Sequence, residues 1–164
     1  MTRVPPAWLR YGSLFFALVV LIVPLPEAAS LMRPYLLAML LCYWLLEAPD
    51  HAGLGLAFAC GLAADFVSGT LLGEQALRLV VMAFLVQRFR ARLRFFPLWQ
   101  QAAAVFALLL NDRLIAVAIH LIAGDGLPPP ATWLSPLVGF ALWPWQFLLL
   151  DGLRLRLRER ERGA

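Results

Sequence analysis

The chain has 164 residues, of which 62% are hydrophobic and only 15% charged, with a mean hydropathy of +0.78. These values exclude an ordinary soluble domain, which must coat itself with charge, and point to a single integral membrane domain. All fourteen basic residues are arginine and the formal net charge is +4; the arginines lie at the ends of apolar segments, as the positive-inside bias requires, which argues against nucleic acid as a partner.

The first apolar segment predicts a helix over residues 8–23, ended by Pro24 and Pro26, because proline lacks an amide proton and disfavours helix at the residue before it. Arg3, Arg10, an apolar core and the small residues Ala28, Ala29 and Ser30 also have the layout of a signal peptide. The further apolar spans favour an uncleaved first helix. A second helix is expected over residues 31–47, with Pro34 suited to its first turn. It is short against the about 20 residues a bilayer core demands, so it borrows from residues 30–32, sits where the membrane thins, or is partly re-entrant.

After the polar loop at residues 48–51, a third helix is expected over 53–67. Gly53, Ala57, Gly61, Asp65 and Gly69 recur every fourth residue there, so a strip of minimal side chains runs beside one carboxylate and invites close helix contact. Ser68, Gly69 and Gly73 form a short turn into a fourth helix over 74–87, which is predicted to stop at Arg88, Arg90, Arg92 and Arg94. Residues 97–101 open a fifth helix, given as 100–123, and the Gly- and Pro-rich stretch 124–130 breaks it. A sixth helix follows over 133–151, with a basic tail over 152–164. With six spans, every arginine cluster falls on one side and only Arg33 on the other, so the expected fold is an all-α polytopic bundle of six transmembrane helices with both termini cytoplasmic. The tail alternates leucine with arginine and reads as an anchor to anionic headgroups, or as a docking strip for a cytoplasmic partner.

Ionisable residues within spans face the bundle interior or a wet cavity, because a charge at the bilayer centre costs about 2.5 to 3.5 kcal/mol even on insertion scales. Asp65 and Arg78 flank the turn between helices 3 and 4 and are expected to pair. Asp112 and Arg113 lie halfway along helix 5 but point about 100° apart, so they do not share one partner surface. Gln101, Leu108 and Asp112 form one stripe, and His120 aligns with Arg113. Three uses compete for these groups: interhelical hydrogen bonds that fix the bundle, a binding surface for a partner's transmembrane helix, and a solute or proton path. In helix 6, Pro144 lies between Trp143 and Trp145 and predicts a kink; the tryptophans are expected to pack against neighbours or shape a groove. Cys42 and Cys60 are read as packing residues. No Ser-His-acid set, metal-ligand spacing or phosphate loop is present in the sequence, so no enzyme activity, metal or cofactor is expected.

Arg33-Pro34, Tyr43-Trp44, residues 61–73, Leu98-Trp99-Gln100-Gln101, Asp112 and Leu142-Trp143-Pro144-Trp145 occur in this order, and together they resemble the MreD family of bacterial rod shape-determining membrane proteins. The resemblance covers residues 33–156. It implies a non-catalytic component of the peptidoglycan elongation machinery in the cytoplasmic membrane, associating with the single-span protein MreC and, directly or through it, with MreB and the wall synthases. The family pattern carries over onto Asp65, Ser68, Gly69 and Gly73, onto Asp112, and onto Trp143, Pro144 and Trp145, whereas Glu47 and Arg113 depart from it. The family's helical core is also similar to the substrate-binding subunits of energy-coupling-factor vitamin transporters. That likeness keeps open a solute-binding alternative in which Asp65, Asp112, Arg113 and Trp143 line a pocket.

Overall fold

The computed structural model describes residues 7–23, 35–124, 126 and 128–163, with side chains as far as Leu157. Six α-helices are described: α1 (Ala7–Ile22), α2 (Leu36–Glu47), α3 (Leu54–Ser68), α4 (Glu74–Leu93), α5 (Leu98–Ala123) and α6 (Leu134–Gly163), with a 3₁₀ turn at Pro130–Trp133 before the last. No strand is present among the described residues.

The centre of the bundle is α2. Every residue from 37 to 46 is buried, so this helix is apolar around its whole circumference and covered on all sides, chiefly by α1, α4 and α6. Its described 12 residues rise only about 18 Å, which suits a helix enclosed by protein rather than one facing lipid. The expected start of this helix at residues 31–34, with Arg33 and Pro34, lies outside the described residues. Trp44 and Tyr43 anchor the core, edge to face at 5.1 Å between ring centroids. The buried Trp44 indole finds its partner in α1, donating from Nε1 to Ser13 Oγ at 2.9 Å.

Polar contacts between helix ends show that the helices alternate in direction. The N-terminal half of α1 meets the C-terminal end of α2 through Ser13 and Trp44. At that same end Arg90 Nε of α4 donates to the carbonyl of Leu46 at 3.1 Å, satisfying one of the orphan acceptors of the last turn of α2. Arg154 of α6 pairs there with Glu47. At the opposite end, Tyr35 just before α2 reaches Gln75 in the first turn of α4. One end of the bundle thus gathers Arg10, Arg90, Arg92, Arg94 and Arg154, and the other carries the turn between α3 and α4.

Two boundaries differ from the sequence reading. Helix α4 does not stop at Gln87 but continues through the arginines to Leu93, because arginine is a good helix former and its long stem lets the charge reach the headgroup layer from a helical backbone. For the same reason α6 runs through the tail to Gly163 instead of ending at Asp151. It also runs unbroken through Pro144.

The exterior is apolar. Phe15 and Phe16 on α1, Phe66 on α3, Ile122 on α5 and Trp145 on α6 are all more than 60% exposed, the inverse of a soluble bundle. Two segments, Leu98–Ala123 and Pro130–Leu157, are long and apolar enough to cross a membrane, and three shorter apolar helices accompany them.

Candidate functional site

The polar groups of the interior concentrate around the first turn of α4, and glycine decides how they meet. A Cβ placed on Gly61 would lie 2.3 Å from Ala76 Cα and 2.6 Å from its nitrogen, so only glycine lets α3 come this close to the start of α4. Ala57, Gly61, Ala64 and Asp65 are buried on that face. At Gly61 the small-residue strip therefore serves contact within the chain and is occupied by α4, whereas Gly53 and Gly69 at its ends have open space beyond their Cβ positions. Gly69, at φ 64°, ends α3 in the left-handed conformation and Gly73, at φ 94°, starts α4 from it, both positions that favour glycine. Ser68 and Gly69 are exposed.

One helical turn beyond Gly61, Asp65 is carried directly under the orphan amides of α4. Its Oδ1 accepts from the Gln75 amide at 2.8 Å and from Thr70 Oγ1 at 3.0 Å; its Oδ2 accepts from the Gly73 amide at 2.9 Å and the Ala76 amide at 3.4 Å. Gly73 has no side chain with which to cap its own helix, and Asp65 does so from the preceding one. The negative charge also meets the positive end of the helix dipole. Each oxygen is doubly engaged, which explains how a carboxylate is tolerated at 1% exposure.

Arg78 turns away from this acid. The expected Asp65–Arg78 pair does not form: Arg78 holds Asp112 of α5 in a bidentate fork, Nε to Oδ1 at 3.0 Å and a terminal nitrogen to Oδ2 at 2.5 Å. The reason is geometric, since the backbone amides of residues 73, 75 and 76 and the Thr70 hydroxyl fill the acceptor sites of Asp65, while Asp112 presents a free carboxylate across the α4–α5 interface. Arg78 also donates to Glu74 at 3.2 Å, four residues back on its own helix, and its guanidinium lies 5.3 Å from the centre of the Tyr35 ring. His120 Nε2 stands 3.5 Å from the same Glu74 oxygen.

A second polar layer interlocks with the first through Gln75. Its side chain accepts from Tyr35 Oη at 2.8 Å and donates toward the Ala64 carbonyl and Thr70 Oγ1, both at 3.3 Å. Tyr35, Thr70, Glu74 and Gln75 were not singled out from the sequence. The available signal was a helix beginning after glycine with no capping side chain of its own, which demands an acceptor from elsewhere.

Asp112 and Arg113 separate as their angular offset requires. Asp112 is buried in the fork, whereas Arg113 is half-buried and makes no hydrogen bond or ion pair among the described residues. The two tryptophans of α6 also part company. Trp143 is fully buried against Phe147, and Trp145 is 75% exposed beside Pro144. Cys42 and Cys60 are free and buried. No group of three or more His, Cys, Asp or Glu residues suited to hold a metal occurs among the described residues.

The arrangement joins helices, with the Asp65 and Asp112 carboxylates bonded across helix contacts. The model of the family described as rod shape-determining protein MreD matches residues 3–153, nearly the whole chain. The chain belongs to the MreD family. A rod shape-determining protein MreD of Haemophilus influenzae is 29% identical over 161 residues, covering 96% of this chain and 98% of that protein. No solved structure matches. The MreD family is a shape-determining family of membrane proteins and not a known enzyme family, in keeping with a network whose strongest bonds are spent on packing.

Proposed function

We propose that this protein is a non-catalytic, multi-pass scaffold of the bacterial cytoplasmic membrane that maintains rod shape by organising peptidoglycan synthesis with an MreC-like single-span protein, MreB and the wall synthases. The family match over residues 3–153 carries the reading. The topology that goes with this reading has six spans and cytoplasmic termini, with the arginine-rich end at the cytoplasmic face and the Asp65 turn at the outer one; the alternating helix directions and the positive-inside bias support it.

A scaffold of this kind needs a seat for a partner helix, and the bundle offers one. Helices α1, α2 and α6 bound a cleft of about 790 Å³ that includes Gly12, Ser13, Leu40, Trp145, Gln146 and Leu149. Its lining runs from Leu36, in the first turn of α2, to Trp8 and Leu153 near the arginine-rich end. Both amide atoms of Gln146 are buried without a hydrogen-bond partner, which is costly in an apolar setting and is relieved by a polar side chain on an incoming helix. Gly12, with open space beyond its Cβ position, allows that helix to approach closely.

The experiment is complementation in rod-shaped cells depleted of their own family member, together with recovery of the MreC-like protein in mild detergent. The wild-type chain restores rods and copurifies with the partner, and Gly12→Trp or Gln146→Leu weakens copurification while the protein remains in the membrane. Round cells with the wild-type chain, or no recovered partner, would overturn the scaffold reading. The solute-binding alternative gains nothing from the geometry, since Asp65 and Asp112 have their oxygens engaged within the chain and Trp143 is fully buried.

A further inference from the structure

A second groove lies between α4 and α5, remote from the cleft just described. Its α4 wall includes Leu85, Phe89 and Arg92, and its α5 wall Ala104, Ala107 and Asn111, around a cavity of about 390 Å³. On each helix these positions are three, four or seven residues apart and so share one face. The two alanines open the slot, because larger side chains at 104 and 107 would fill it. The groove is apolar along its length and basic at its mouth, where Arg92 is exposed.

Length separates the possible occupants. Leu85 is the twelfth of the 20 residues of α4 and Asn111 the fourteenth of the 26 of α5, so the groove begins at the arginine-rich end and stops near the middle of both helices. A transmembrane helix crosses the full hydrocarbon thickness of about 30 Å, whereas one acyl chain of a single leaflet crosses about half of it. The groove has the reach of the acyl chain.

Charge selects the headgroup. Between Glu74 and Asp112 the sequence contains no acidic residue, while Arg88, Arg90, Arg92 and Arg94 cluster at the end of α4. Arg90 is held by the Leu46 carbonyl, and of the four only Arg92 lines the groove. We infer that the α4–α5 groove binds an anionic phospholipid of the cytoplasmic leaflet, with one acyl chain between Phe89 and Ala107 and the headgroup phosphate on Arg92. The leaflet rests on the topology proposed above; the site itself rests on the groove and its arginine.

The test is native mass spectrometry of the full-length protein in detergent, titrated with dioleoylphosphatidylglycerol or dioleoylphosphatidylcholine. The wild-type protein retains one phosphatidylglycerol in preference to phosphatidylcholine. Arg92→Gln weakens that retention about fivefold, the worth of one basic residue at an anionic lipid surface, and Ala107→Phe abolishes it by filling the slot. Both positions are exposed, so folding is preserved, and Arg94→Gln, which removes the same charge outside the groove, changes retention less than twofold. Equal retention of the two lipids, equal effects of the two arginine variants, or full retention by Ala107→Phe would each overturn the site. Phe95→Cys, at an exposed position and probed with a membrane-impermeant maleimide on intact cells, tests the leaflet separately. Protection supports the cytoplasmic assignment, and labelling from outside overturns the topology while leaving the lipid result to judge the site.

Discussion

If the Arg78–Asp112 fork is the main polar lock between α4 and α5, removing both partners costs clearly less than the sum of removing each alone. The two side chains are 12% and 4% exposed, and losing one partner of such a buried pair costs about 3–5 kcal/mol because an uncompensated charge is left behind. Asp112→Leu leaves Arg78 with Glu74 alone; Arg78→Met leaves Asp112 with no partner and Glu74 with His120. The double variant removes both charges of the fork and keeps the Glu74–His120 contact. It is therefore less destabilised than the sum of the single variants, by about 2 kcal/mol, within the range found for residues in one network. The assay is reversible unfolding by sodium dodecyl sulfate in mixed micelles, followed by tryptophan fluorescence. A parallel cycle of Asp65→Asn with Arg78→Met gives a smaller coupling, because those two residues share no hydrogen bond. Additive costs for Arg78 and Asp112, or a larger coupling between Asp65 and Arg78, would refute the assignment.

Gly61→Ala places a methyl group against the backbone of Ala76 and destabilises by about 1–3 kcal/mol or more in the same assay, whereas Gly55→Ala, which meets open space, does not. Gly139→Ala costs less than Gly61→Ala, because its new Cβ meets the rotatable Leu109 Cδ1 at 2.4 Å rather than backbone. Asp65→Asn preserves shape but replaces one acceptor oxygen by a donor, so one pair of the four cap bonds is lost. Exchange of the Gly73, Gln75 and Ala76 amides rises accordingly, read by hydrogen exchange in micelles. Trp44→Phe removes the Nε1 bond to Ser13 and leaves a cavity at a fully buried position, so it costs more than the about 1 kcal/mol of the hydrogen bond alone.

Composition and the placement of arginine were enough to reveal an all-helical membrane protein, because hydrophobic length and charge at helix ends are one-dimensional signals. The short turn at residues 68–73 was legible for a similar reason, since two glycines mark the left-handed backbone at its ends. The pairing of charges was not legible. Asp65 and Arg78 are near in sequence and opposite in charge, yet backbone amides compete for a carboxylate at a helix start, and no side-chain inventory counts them. Glu47 with Arg154, 107 residues apart, is equally silent in the sequence because only the placement of α2 beside α6 brings them together. The continuation of α4 and α6 through their arginines is not legible from charge, because charge ends only the stretch that sits in hydrocarbon and not the helix itself.

The distribution of satisfied and unsatisfied groups connects packing to function. Asp65, Gln75, Arg78 and Asp112 are bonded within the chain, and they hold α3, α4 and α5 together with Tyr35 at the head of α2. That half of the bundle is built to be rigid. Single unpaired atoms occur there too, Glu74 Oε2 and Asn111 Nδ2 among them, but Gln146 has both amide atoms buried and unpaired beside a cleft between α1 and α6. On that side α1 packs on α2 and α3, while α6 packs chiefly on α5. A scaffold that must recruit a transmembrane partner without losing its own fold is served by this division. The interlocked half keeps its shape, and the open side carries the polar group whose bonding is completed from outside.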